Sequence, residues 1–186
     1  MTGVSDRYEI RFSGSGGQGL ILAGVIFAEA ATIYEGINAV QSQSYGPEAR
    51  GGASKSEVII SGQVIDFPKA LGIDLQLSLT QEACSKYYRD IKPGGILLVD
   101  EDFVRDVPEG DFRVIKLPII RTASEQIGKA FVANIVATGA IAAITGKVRI
   151  ESVEKAVLSR VPKGTEEMNK KALMAGYTMA KENVAA

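Results

Sequence analysis

Residues 8–34 read YEIRFSGSGGQGLILAGVIFAEAATIY, and this stretch decides the fold. From Tyr8 to Ser13 polar and apolar residues alternate, which is the period of a half-buried strand. Gly14, Gly16, Gly17 and Gly19 then crowd six positions around Ser15 and Gln18, too many glycines for a continuing strand or helix. Leu20 to Tyr34 is apolar almost all round, the pattern of a helix buried on most sides. Gly36 to Val40 restarts a strand. The first forty residues therefore predict one βαβ unit, with two parallel strands and a right-handed crossover.

Working outward, Ser42 to Gly52 reads as a polar, glycine-containing loop. Ser54 to Ser61 alternates as a strand, and Gln63 to Phe67 reads as its short return partner across Ser61 and Gly62, a hairpin added to the sheet. Asp74 to Leu79 is a further strand, and Thr80 is placed to cap a helix running to about Ile91. Lys92 to Gly95 turns the chain into a strand over Ile96 to Asp100, which completes a second βαβ unit. Phe112 to Leu117 is the last strand, and Thr122 and Glu125 have capping-box spacing for the next helix. Helices are expected over roughly 122–130, 132–145, 150–160 and 166–182, the last carrying Met168, Ala172, Ala175 and Met179 on one face. The fold class is thus α/β and Rossmann-like: a mostly parallel sheet, an added β-hairpin and a helical C-terminal part. At 186 residues the chain is read as a single domain over 1–186.

Composition removes several function classes. Twenty-one basic against twenty-two acidic residues leave a net charge of −1 without a basic tract, which argues against nucleic-acid or membrane-surface binding. Met1 to Ser5 leads directly into the first strand with no secretory pattern, so a cytoplasmic location is expected. The longest apolar stretch, Phe131 to Thr145, is interrupted by Asn134 and Thr138 and is shorter than the ~20 residues that cross a bilayer. The one cysteine, Cys84, offers neither an intrachain disulfide nor the thiolates of an iron–sulfur cluster, and reads as a small buried hydrophobe. Without any histidine there is no Ser-His-Asp triad or His-based zinc site. Chemistry carried by this chain alone is not expected.

Gly14, Gly16 and Gly19 satisfy G-x-G-x-x-G between a strand and a helix, where backbone N–H groups and the helix N-terminus can hold a phosphate. A dinucleotide would also need an acid at the end of the second strand, and that region reads Gln41-Ser42-Gln43, so NAD is disfavoured. The alternative is purely structural: glycines that permit a tight turn and close helix–sheet packing. Gln18, polar at the helix start, leans toward ligand or partner contact. The second special loop, Tyr45, Gly46, Pro47, Glu48, Ala49, Arg50, Gly51, Gly52, Ala53 and Ser54, follows the second strand and should emerge beside the first, where open α/β sheets bind ligands. Arg50 can present its planar fork to a phosphate or carboxylate, or can pair with Glu48 to brace the loop. Asn134, in an apolar helix, must find partners either in the core, the reading favoured, or at an interface.

GSGGQG near the N-terminus, SYGPEARGGASKSEVIIS after the second strand and the later GGILLVD resemble the gamma subunit of 2-oxoacid:ferredoxin oxidoreductases, over residues 8 to about 145. Within that family the run from Gln41 to Ser61 is most similar to the 2-oxoglutarate enzyme. The resemblance implies a complex that decarboxylates a 2-oxoacid on thiamine diphosphate, passes electrons through [4Fe-4S] clusters to ferredoxin and transfers the acyl group to coenzyme A. It places those cofactors on other chains, with alpha and beta subunits as partners, a delta subunit as an optional further one, and ferredoxin met through the complex. Gly14 to Gly19 and Tyr45 to Ser54 would then line a coenzyme A site or shape the subunit interface beside the thiamine. Isolated, such a chain can form a homodimer through its exposed interface. A stand-alone nucleotide-binding Rossmann protein and a purely structural assembly subunit are the competing readings.

Overall fold

The protein is described by a computed structural model over residues 6–44 and 52–185. Strand β1 (Tyr8–Ser15) shows why alternation works. Ile10 and Phe12 turn into the main apolar cluster, while Glu9, Arg11 and Ser13, on alternate positions, are also buried but polar. The sheet continues with β2 (Asn38–Ser44), β3 (Ala53–Ser61), β4 (Ile73–Ser78), β5 (Ile91–Asp100) and β6 (Phe112–Leu117), in the order β2-β3-β1-β4-β5-β6. β1, β4, β5 and β6 pair in parallel, and β3 is antiparallel to both of its neighbours.

Two expectations of pairing are corrected here. β1 and β2 run in the same direction, but β3 lies between them, so they form no paired βαβ unit. Gln63 to Phe67 is not a strand, and the antiparallel partner of β3 is β2, with Asn38 opposite Ser61 and Ser44 opposite Lys55. The physical reason lies in the backbone around that segment: the Gly62, Leu71 and Gly72 N–H groups and the Phe67 and Lys69 carbonyls are held by the side chains of Asp6, Glu9 and Arg7 instead of a strand ladder. The second βαβ unit forms as read: β4, α2 (Gln81–Tyr87) and β5, with Thr80 Oγ1 accepting from the Ala83 N–H at 3.3 Å.

Helix α2 ends at Tyr87 in a 3₁₀ turn, short of Ile91, and Lys92 to Gly95 belong to an irregular start of β5 instead of a turn. Thr122 is no N-cap. Helix begins at α3 (Ile119–Arg121), directly after Pro118, and widens to a π turn over Thr122–Gln126, with the Thr122 N–H already bonded to the Pro118 carbonyl. Asp100 is one cause: fully buried at the end of β5, it accepts from the N–H groups of Asp102, Phe103 and Ile120 and so fixes that entry, although burial pushes its carboxyl up.

Helices α1 (Leu20–Glu35), α4 (Ala133–Thr145), α5 (Ile150–Arg160) and α6 (Glu166–Ala185) share one apolar cluster with Ile10, Phe12, Leu75, Leu77 and Leu98 on one face of the sheet. Leu97 and Val99, alternating with Leu98, join Cys84 of α2 in a smaller cluster on the other face. Helices α4 and α6 cross closely because Gly139 abuts the Leu173 carbonyl and Gly176 the Val136 carbonyl, leaving no room for a Cβ at either place. Cys84 is buried and free, and burial pushes its thiol up, away from reactivity.

Candidate ligand crevice at the glycine loop

β1 ends at Ser15 and the chain reverses into α1 through two left-handed glycines, Gly17 at φ 89° and Gly19 at φ 73°. Gln18 holds this turn together: its Oε1 accepts from the Ser15 N–H at 2.8 Å, and its own N–H reaches the Ser15 carbonyl at 3.4 Å. The Gln18 side-chain oxygen therefore serves the loop itself. A Cβ on Gly14 would strike that oxygen and crowd Leu79. On Gly19 it would lie 2.5 Å from Asn134 Nδ2, which donates to the Gly19 carbonyl at 3.1 Å. Asn134 is 5% exposed, as a core residue should be, and its work there is to tie α4 to the glycine turn.

Gly16 differs from its neighbours. Its φ is not positive, and a Cβ there would meet no atom within 4 Å. Nothing in the described chain requires glycine at this position; the space that it leaves open belongs to a crevice of about 550 Å³ lined also by Ser15, Gly17, Gly19, Ser54 and Arg160.

Ser54 arrives through the sheet register, since β3 places it opposite Gly14 and sets Ala53 opposite Ser15. The start of β3 is pinned from α2, where Tyr87 Oη donates to the Ala53 carbonyl and Glu82 Oε1 accepts from its N–H. β2 ends at Ser44 and β3 begins at Ala53 at the end of the sheet where the glycine loop lies. Tyr45, Gly46, Glu48, Arg50 and Gly51 fall outside the described residues. Gly52 is described and half-buried but does not line the cavity.

Arg160, the last residue of α5, was not identified from the sequence, because a basic residue closing a helix reads as a complement to the helix dipole. Its Nε donates to Glu29 Oε2 at 2.9 Å and its Nη2 to Glu29 Oε1, so one edge of the guanidinium is fixed side-on to α1. The edge carrying Nη1 has no partner among the described residues and is available to an anion in the crevice. Leu22 and Asn134 lead on to an apolar groove of about 300 Å³ bordered by Phe131, Ile135, Val161 and Met168. Gln41, where the sequence pattern of a dinucleotide site would call for an acid, lies in the middle of β2 and is turned to Ser56 Oγ at 2.9 Å.

This is a Rossmann-like α/β chain whose glycine loop opens on a crevice. The model of the pyruvate ferredoxin/flavodoxin oxidoreductase family matches residues 9–179. The chain is 56% identical to 2-oxoglutarate synthase subunit KorC of Methanocaldococcus jannaschii, over 96% of this chain and 97% of that one. Its fold matches the keto/oxoacid ferredoxin oxidoreductase gamma subunit of Geobacter sulfurreducens with a TM-score of 0.89 at 58% identity, covering 95% and 98% of the two chains. The 2-oxoglutarate:ferredoxin oxidoreductase of Magnetococcus marinus, solved with 2-oxoglutarate, coenzyme A and succinyl-CoA bound, shares the fold alone: TM-score 0.82, 21% identity, 95% of this chain and 31% of that one. The chain belongs to the pyruvate ferredoxin/flavodoxin oxidoreductase family, as a gamma-type subunit of a 2-oxoacid:ferredoxin oxidoreductase, and is thus part of an enzyme complex.

Proposed function

We propose that the complex containing this chain oxidatively decarboxylates 2-oxoglutarate to succinyl-CoA with reduction of ferredoxin, and that this chain contributes coenzyme A binding at the glycine loop. The substrate rests on the 56% identity to a 2-oxoglutarate synthase subunit. Gly16 supports the site assignment: packing explains Gly14 and Gly19, a left-handed turn explains Gly17, and among the described residues none fills the space beside Gly16. Coenzyme A fits the residues present. The loop leaves room for close approach of a phosphate, the unengaged edge of Arg160 supplies positive charge, and Ser54 adds a hydroxyl. The apolar groove that begins at Leu22 can receive the less polar part of such a ligand. From the sequence pattern, Tyr45, Gly46, Glu48, Arg50 and Gly51 are proposed for the same site; Gly52 is left out of it because it does not line the cavity.

Thiamine diphosphate and [4Fe-4S] clusters are assigned to the alpha, beta and any delta subunits, because one cysteine and no histidine give this chain no ligand set for a cluster. No helix among the described residues is long and apolar enough to cross a membrane; a cytoplasmic complex is part of this proposal. The test is Gly16→Ala in the native complex, assayed for coenzyme A-dependent ferredoxin reduction with a panel of 2-oxoacids. The expected result is a coenzyme A KM raised about tenfold or more with assembly intact, since a Cβ in the cradle blocks approach while meeting none of the described residues within 4 Å. An unchanged KM removes coenzyme A from this loop, and preference for another 2-oxoacid replaces the substrate.

A further inference from the structure

Between β3 and β4 the chain passes from Gly62 to Gly72 without regular structure, yet its backbone is held at both ends and in the middle. Asp6 Oδ2 accepts from the Gly62 N–H at 2.6 Å, and Asn38 Nδ2 donates to the Gln63 carbonyl at 3.0 Å. Arg7 donates to the carbonyls of Phe67 and Lys69 at 2.8 and 2.6 Å. Glu9, only 1% exposed, accepts from the N–H groups of Leu71 and Gly72 and is itself paired with Arg7. Charge-assisted bonds from the start of β1 thus do for this segment what a strand partner would have done.

The side chains that it presents are not what a solvated loop needs. Val64 is 77% exposed, Phe67 48% and Leu71 73%. Large apolar groups held outward on a fixed backbone lose little conformational freedom when a partner covers them, which favours association. Leu71 also borders a cleft of about 480 Å³ whose charged lining is Arg11, Lys55, Arg89 and Lys92 against Glu57 and Asp90. Arg11 is satisfied by Glu57 and Asp90, each at 2.7 Å. Lys55 pairs with Glu57 at 2.9 Å and Lys92 with Asp74 at 2.8 Å, whereas Arg89 lies 5.0 Å over the Tyr88 ring and has no carboxylate partner among the described residues, so Arg89 carries the cleft's excess positive charge.

We propose that the loop from Gly62 to Gly72, with the basic cleft beside it, is the docking face for another subunit of the complex, one that offers an apolar socket bordered by Asp or Glu carboxylates. The apolar side chains supply the contact and the cations select the acidic rim. This rests on membership in a multi-subunit complex and stands apart from the coenzyme A reading, whose crevice involves none of these residues.

The experiment purifies the native complex through a tag on this chain, with wild type as the control that recovers the partner subunits. Phe67→Asp with Leu71→Asp, the milder Phe67→Ser with Leu71→Ser, and Lys69→Glu with Arg89→Glu are compared. All substituted side chains are exposed or partly so, and the melting temperature of each isolated variant is expected to match wild type. Recovery of one partner subunit is expected to fall at least tenfold for the Asp and charge-reversal pairs, and less for the Ser pair. Full recovery in all three overturns the proposal. So does an isolated wild-type chain that dimerises through this face while the variants keep their partners, which would make a second copy the occupant. Binding of citrate or phosphate to the cleft with partner recovery unaffected would likewise overturn it in favour of a small anion.

Discussion

Asn134 and Gly19 lie 115 positions apart, yet the Asn134 side-chain amide donates to the Gly19 carbonyl at 3.1 Å, and the same amide nitrogen would sit 2.5 Å from any Cβ on Gly19. The bond and the glycine are therefore one device. Gly19→Ala combines this clash with a φ of 73°, and should lower stability by roughly 1–3 kcal/mol in urea unfolding. Asn134→Ala alone should cost about 1 kcal/mol as one lost hydrogen bond. The double variant should be less destabilised than the sum, because removing the amide clears the space that the alanine needs. Strict additivity would show that the two residues do not act together.

Arg160 is expected to matter to ligand binding and not to folding. In the assembled enzyme Arg160→Ala should raise the coenzyme A KM about tenfold to a hundredfold, the worth of a charged hydrogen bond, with little change in kcat. Arg160→Lys should fall between, because an ammonium lacks the second edge that lets the guanidinium hold Glu29 and an anion together. Glu29→Gln should give a smaller rise in KM, since the cation stays but is less firmly aimed. A KM that none of these moves would leave Arg160 as a surface ion pair.

Tyr8 gives the protein an alkaline signature. Burial, with the Asp74 charge second, pushes its phenol from the ordinary 10.0 up to about 12. Between these values the unfolded chain has lost the proton and the folded chain keeps it. The contribution to stability is fully present below pH 10 and is lost as pH rises toward 12. An ultraviolet titration should show one tyrosine ionising late, and Tyr8→Phe should abolish that step and flatten the alkaline fall in stability. A titration in which every tyrosine ionises near 10 would contradict this.

Local patterns made much of the fold legible. Strand β6 and helix α5 lie where periodicity puts them, over Phe112–Leu117 and Ile150–Arg160, because alternation and a 3.6-residue stripe record which faces are buried. Thr80 was readable as a cap because its bond to Ala83 is local. The misplaced hairpin at Gln63–Phe67 shows the opposite case: distant side chains bond the two ends of this segment, Asn38 donating to the Gln63 carbonyl and Arg7, sixty positions away, to the Phe67 carbonyl. Thr122 and Glu125 had the spacing of a capping box, but Pro118 and the buried Asp100 had already started the helix three residues earlier. At the site, the glycine loop and Ser54 were visible in sequence, whereas Arg160 and the link between Asn134 and Gly19 were not, since a lone arginine or asparagine carries no periodic signal.

By itself the sequence determined an α/β chain with a glycine loop between strand and buried helix, and a composition of one cysteine and no histidine that supplies no ligand set for an iron–sulfur cluster. Only the tertiary structure decided that β3 separates β1 from β2, that Gly16, without a positive φ, faces open space among the described residues, and that Arg160 reaches the crevice from the far end of α5. Hydrophobic period and turn chemistry are properties of neighbouring residues and survive in the string. Which strand pairs with which, and which distant side chain meets a loop, depend on how whole elements pack, and that free energy belongs to the assembled core.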